Sequence, residues 1–189
     1  MIKCFWLEPT DQIEMDLRRY KGSESGEKCP GPMSYHDASV IIGQDLKSNH
    51  TDVHGDSWDH ADPRWPKKCS CGYEFVDADH WQFNPTSLYK RADTGELVTM
   101  HNAPVGAMMH ADWLHREGWR GYKLGADGVM LQVKTPDGWW CVDGPTYGPE
   151  GRKDGSWTRT GTIPNVTASP SILMPNYHGW LRDGYLVEC

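Results

Sequence analysis

The sequence predicts an α+β protein dominated by strands: one domain over residues 1–189, built of short antiparallel strands and hairpins, one or two short helices and a zinc-organised turn. Three observations lead there. Twenty Gly and 13 Pro are spread along the chain, which interrupts helical runs and favours short strands joined by turns. Apolar and polar residues alternate over many short segments, the signature of half-buried strands. A Cys-x-Cys-Gly sequence, Cys69-Ser70-Cys71-Gly72, stands in a segment otherwise made of turn formers.

Taken in order, Ile2, Phe5 and Leu7 and then Ile13, Met15 and Leu17 read as two strands joined near Pro9-Thr10-Asp11, an N-terminal hairpin. Val40-Ile41-Ile42 is a short buried strand. Gln44 to Asp62, with five Asp and three His, reads as an exposed loop. After Pro66 come the Cys69 and Cys71 turn and a short helix from about Asp77 to Gln82. Leu88-Tyr89-Lys90 and Leu97-Val98-Thr99 then flank Asp93-Thr94-Gly95-Glu96 as a hairpin. Ala103 to Leu114 is the best helix, with Pro104 in its first turn, Met108, Ala111 and Leu114 at helical spacing, and Gly118 beyond its end. Val129 to Thr135 and Trp139 to Val142 form a hairpin about Pro136-Asp137-Gly138. Asp143 to Thr162, with five Gly and two Pro, reads as a long surface loop. Asp183-Gly184 between Trp180-Leu181-Arg182 and Tyr185-Leu186-Val187 closes the chain with a hairpin.

Composition narrows the function. No window approaches 18 apolar residues, and Met1 to Asp11 has neither a basic nor an apolar leader region, so the expectation is a protein without a membrane span that is not secreted through a signal peptide. Nineteen Lys and Arg against 26 Asp and Glu give a net charge of −7, which makes general nucleic-acid binding repulsive. Ten Trp and eight Tyr against three Phe imply a core of few large rings, with a glycan-stacking platform as the alternative use.

Six cysteines without a secretory leader imply a reducing compartment, where thiols prefer metal to disulfides. Two thiolates on one tetrahedral Zn²⁺ sit about 3.8 Å apart, from Zn–S bonds of about 2.3 Å, a spacing that a Cys-x-Cys turn can reach. The segment Cys29-Pro-Gly-Pro-Met-Ser-Tyr-His36 offers the two further donors around a second tight bend, so Cys29, His36, Cys69 and Cys71 are the expected zinc ligands, in a subregion of about residues 29–75. His50, His54 and His60 compete with His36 for the fourth place, and with their neighbouring Asp residues they could build a separate site. Cys4 and Cys141 fall in strand patterns and read as buried thiols, Cys189 as a free end. His178, next to Gly179, reads as a partly buried imidazole bonded to a backbone carbonyl, with ligand contact as the alternative. Gly-x-Ser-x-Gly, phosphate-loop, His-Glu-x-x-His and dinucleotide patterns are all missing.

Several blocks together resemble an uncharacterised family of small proteins encoded by bacteriophages of actinobacteria: Tyr35-His36-Asp37-Ala38-Ser39-Val40, Asp62-Pro63-Arg64-Trp65-Pro66, Cys69-Ser70-Cys71-Gly72-Tyr73-Glu74-Phe75, Leu88 to Glu96, Ala103 to Met108, Trp140 to Gly144, and Tyr177-His178-Gly179-Trp180-Leu181-Arg182-Asp183-Gly184. The resemblance spans most of the chain and implies a phage origin and a metal-binding Cys-x-Cys-Gly turn; it brings no activity. The family carries extra cysteines after the Asp-Gly block, whereas Gly144 to Gly161 has none. The expected function is therefore non-enzymatic. It is a zinc-stabilised protein that binds a protein partner, either a phage structural protein in the virion or a host factor in the host cytoplasm. A metal-dependent hydrolase or nuclease using residues 50 to 62 with His178 is the alternative, and a glycan-binding module the second.

Overall fold

The computed structural model describes residues 1–20, 29–30, 36–43, 62–75, 80–116, 122, 124–148, 151–153 and 157–189. In chain order the strands are β1 (Ile2–Lys3), β2 (Phe5–Tyr20), β3 (Asp37–Ile42), β4 (His80–Arg91), β5 (Leu97–Thr99) and β6 (Ala107–His110). One helix, α1 (Asp112–Arg116), precedes β7 (Leu131–Thr135), β8 (Gly138–Cys141), β9 (Thr146–Gly148), β10 (Gly151–Lys153), β11 (Thr158–Thr162), β12 (Asn165–Met174), β13 (Tyr177–Arg182) and β14 (Tyr185–Glu188). The protein is thus β-rich, and among the described residues the helical share expected of an α+β chain shrinks to the five of α1. No helix among the described residues is long and apolar enough to cross a membrane.

The chain divides into two compact units: Met1–Glu8 with Lys90–Cys189, and Pro9–Tyr89. In the first, β1, β14, β13, β12 and β11 lie side by side in that order as an antiparallel sheet. The pairs Leu181↔Leu186 and Ile172↔Gly179 put one set of alternate residues on the inner face. There Val166, Ala168, Ile172, Tyr177, Leu181 and Leu186 pack with Met108, Leu131, Val133 and Trp140 from β6, β7 and β8. Alternation in β13 follows: Tyr177, Gly179 and Leu181 are buried, while His178 and Arg182 are exposed. Gly179 is required at its place, since a Cβ there would sit 2.5 Å from both the Val187 carbonyl oxygen and the Tyr177 hydroxyl.

The same unit contains the start of β2, whose Phe5 and Trp6 pair in parallel with Ala107 and Met108, and the antiparallel run β6, β7, β8. Arg159 ties β11 to the loops around β7. Its guanidinium makes two bonds to Asp127 at 2.7 and 2.8 Å, one to Asp143 at 3.1 Å and one to the Val129 carbonyl at 3.0 Å. Asp143 in turn accepts the Leu131 N–H at 2.8 Å.

In the second unit, β2 pairs antiparallel with β3 through Ile13↔Ile42 and Met15↔Val40. Ile13, Met15, Ile42 and Trp65 form its buried apolar cluster, with Val40 and Phe75 packed against it.

Several expectations are corrected. The N-terminal hairpin is one continuous strand: Thr10 does not turn the chain but donates its hydroxyl to the Leu88 carbonyl at 2.6 Å. The helix expected from 103 to 114 is interrupted by β6: Met108, Ala111 and Leu114 are all buried at helical spacing, but Ala107–His110 is a strand and only Asp112–Arg116 is helical. Residues 80–82 of the other expected helix belong to β4, its first residues lying outside the described ones. The loop expected over 143–162 carries β9, β10 and β11. The hairpins at 88–99, 129–142 and 180–187 are present, as is the strand at 40–42.

Candidate metal centre

The metal-ligating side chains gather in the second unit, on a tight turn between residues 62 and 75. Asp62 starts it: its carboxylate accepts the Arg64 N–H at 2.8 Å and pairs with the Arg64 guanidinium at 2.8 Å. The Asp62 carbonyl accepts the Trp65 N–H at 2.9 Å, which turns Trp65 into the apolar cluster. Pro66 ends this bend. Beyond it, Phe75 N–H bonds the Lys67 carbonyl and Lys68 bridges Glu74, so a small hairpin forms. Its tip is closed by Cys69 N–H to the Tyr73 carbonyl and Gly72 N–H to the Cys69 carbonyl, each at 2.9 Å. Gly72 has φ of +93°, a left-handed conformation that favours glycine, and it lets Cys69 and Cys71 face the same centre.

Cys29 and His36 complete the set, His36 standing just before β3. The ligand atoms of Cys29, His36, Cys69 and Cys71 all lie within 4.8 Å of one another. Cys29 Sγ is 4.0 Å from Cys69 Sγ, and Cys71 Sγ is 3.3 Å from His36 Nδ1. No disulfide joins them: the 4.0 Å between the Cys29 and Cys69 sulfurs is about twice an S–S bond. Separations of 3.3 to 4.8 Å bracket the roughly 3.8 Å edge of a tetrahedral thiolate site. Three sulfurs and one imidazole therefore fit a metal ion that prefers soft tetrahedral ligation.

Local chemistry agrees with that fit. Burial, the largest single influence, pushes the Cys69 thiol up, but the backbone N–H groups of Cys71 and Asp37 and the side chains of His36 and Cys71 together outweigh it. The thiol falls to about 6 from an ordinary value of 9.0. Deprotonation makes the sulfur a ligand. His36 is buried and its ring stacks on Tyr73, 4.1 Å between centroids at 17°, with Phe75 edge-on to Tyr73. Its Nε2 has no hydrogen-bond partner among the described residues, and Nδ1 is the nitrogen turned toward Cys71. Cys29, His36 and Cys69 are buried, Cys71 exposed.

All four residues expected from the sequence thus meet at one place. His50, His54 and His60 lie outside the described residues. Asp37 was not anticipated: its carboxylate lies 3.8 Å from Cys69 Sγ, and its place directly after His36 was the available signal. Cys4 and Cys141 are pushed up to about 12, chiefly by burial, and so remain thiols; Cys189 is exposed. His178 differs from expectation. It is exposed on the outer face of β13 and contacts the Ser171 hydroxyl at 3.4 Å rather than a backbone carbonyl, because Gly179 and not His178 has the inward parity.

No protein-family model, curated protein or solved structure matches the chain. The site is therefore interpreted from its own geometry.

Proposed function

We propose that the protein is a zinc-stabilised, phage-encoded factor that works by binding another protein, as a virion component or as a factor acting in the host cytoplasm. The observation that carries the reading is the closed donor set. Cys29, His36, Cys69 and Cys71 supply four protein ligands around one point, and tetrahedral zinc with four protein ligands keeps no position for substrate or activated water. Such a metal contributes folding energy rather than chemistry. Zinc is favoured over other ions because three thiolates and an imidazole form one of its usual structural sets, and iron is the competing occupant. The phage origin rests on the resemblance of the blocks around His36, Cys69 and His178.

Two measurements test this. Metal analysis of protein prepared without chelator should give one zinc per chain, and mass spectrometry of purified phage particles or of infected-cell complexes should place the chain with a protein partner. Absence of both zinc and iron would end the metal assignment. Chelator-sensitive cleavage of a phosphodiester substrate by the purified protein would instead favour the hydrolase.

A further inference from the structure

The four candidate ligands differ in what can reach them. Cys29, His36 and Cys69 are buried, whereas Cys71 stands exposed at the tip of its small hairpin. Its neighbours keep that side open. Ser70 and Gly72 are exposed as well, and a Cβ built on Gly72 would meet no described atom within 4 Å. A small solute therefore arrives at the Cys71 sulfur before the other donors. The remaining cysteines lack this combination of access and company. Cys4 is buried and Cys141 half-buried, and Cys189, though exposed, belongs to no cluster of ligand atoms among the described residues.

An exposed sulfur with thiol neighbours reacts differently from a solitary one. Oxidised by a peroxide, a solitary thiol stops at the sulfenic acid or climbs to the irreversible sulfinic and sulfonic acids, while a second thiol within reach diverts it into a disulfide. The Cys71 sulfur lies within 4.8 Å of both other sulfurs. These two are not equivalent. Cys69 and Cys71 are separated by Ser70 alone, on a tip fixed by the bonds from Cys69 N–H to the Tyr73 carbonyl and from Gly72 N–H to the Cys69 carbonyl, so joining their sulfurs would deform it. Cys29 comes from a different stretch of chain, 40 positions from Cys69, and carries no such constraint.

We infer that Cys71 is an oxidation site for hydroperoxides, and that Cys29 completes the reaction as a Cys29–Cys71 disulfide that expels the metal. The inference rests on the zinc site proposed above and names how that site is regulated. In the first step the Cys71 thiolate attacks one oxygen of hydrogen peroxide. An S–O bond forms, the O–O bond breaks, and the other oxygen leaves as hydroxide; the sulfur gives up two electrons and becomes a sulfenic acid. In the second step the Cys29 thiolate attacks the Cys71 sulfur, an S–S bond forms, the S–O bond breaks and a second hydroxide leaves. Two thiolates and one hydrogen peroxide thus give one disulfide and two hydroxides. Zinc is left with Cys69 and His36, half of the donors a structural site requires.

The test uses the full chain loaded with zinc, its metal content measured first, and hydrogen peroxide as the probe. Peroxide should release the zinc to a weak chromogenic chelator, against a sample without peroxide. Peptide mass mapping should find the Cys29–Cys71 disulfide, and dimedone present from the start should trap the sulfenic acid of the cluster on Cys71. Cys71→His, which keeps four donors while removing the exposed thiol, should release zinc at least about tenfold more slowly. Should that variant fail to hold zinc, the dimedone and disulfide mapping of the unaltered chain decides alone. Zinc retained under peroxide, first trapping on Cys29 or Cys69, release without a Cys29–Cys71 bond, or unslowed release from zinc-loaded Cys71→His would each overturn the inference. A chain that takes up no zinc ends the metal assignment; a loaded chain that resists peroxide ends this inference alone.

Discussion

The two units are held together by different means. In the first, twelve buried residues from Cys4 to Leu186 form one apolar cluster, with Trp157 edge-on to Trp140 at 5.3 Å beside it. In the second, the described apolar cluster is Ile13, Met15, Ile42 and Trp65, and next to Trp65 in sequence stands the Cys69 and Cys71 turn with its two further donors. Among the described residues, the first unit is marked by its large apolar cluster and the second by four residues that could hold a metal ion.

Removing the proposed metal is the sharpest way to break that contrast. Chelation, or Cys69→Ser, should unfold the second unit: amides of Met15, Val40 and Trp65 should exchange with solvent within the dead time, while those of Val166, Leu181 and Leu186 keep their protection. Simultaneous loss in both units would show that the metal supports the whole chain. The reverse perturbation is Leu181→Ala. Leu181 is fully buried and paired with Leu186, and its truncation should cost the first unit about 2–5 kcal/mol in denaturant melts, leaving zinc affinity unchanged.

The smallest effect concerns charge. Arg159, bonded to Asp127, holds that carboxyl below its ordinary value of 3.8. A depressed carboxyl adds stability that is fully present above 3.8 and is lost as pH falls through the lower folded value. Asp127 is 43% exposed on its side chain, so the contribution is that of a surface ion pair, under about 1 kcal/mol. Acid melts of the first unit should therefore show a small loss below pH 3.8 that Asp127→Asn removes. A loss unchanged in that variant would assign the acid sensitivity to other carboxylates.

The Cys/His cluster was legible because its chemistry is written in residue types. Cys-x-Cys-Gly and Cys-Pro-Gly-Pro mark tight bends bearing soft ligands, whatever the rest of the chain does. Asp183-Gly184 was legible for a similar reason, a turn whose left-handed residues are Asp183 at φ 46° and Gly184 at φ 76°. What failed was inference from periodicity. Ala107, Met108 and Met109 form a strand buried on both sides, and full burial erases the alternation that identifies strands. Thr158-Arg159-Thr160-Gly161-Thr162 failed for the opposite reason: its exposed Thr side chains and Gly161 look like a loop, and only Arg159, reaching two aspartates distant in sequence, betrays its place in a sheet. Pro9 in β2 was misread because proline suggests an interruption, while the partner of Thr10, the Leu88 carbonyl, lies 78 positions away and leaves no local trace.

The pairing of Ile2 with Leu186 sets an order of manufacture. On the ribosome, β1 is made before residues 9–89 and its neighbour β14 only after them. Residues 9–89 are finished long before that, with both halves of the ligand set already outside the exit tunnel. The unit that carries the four candidate ligands can thus fold, and bind any metal it takes, while the first unit still waits for a strand.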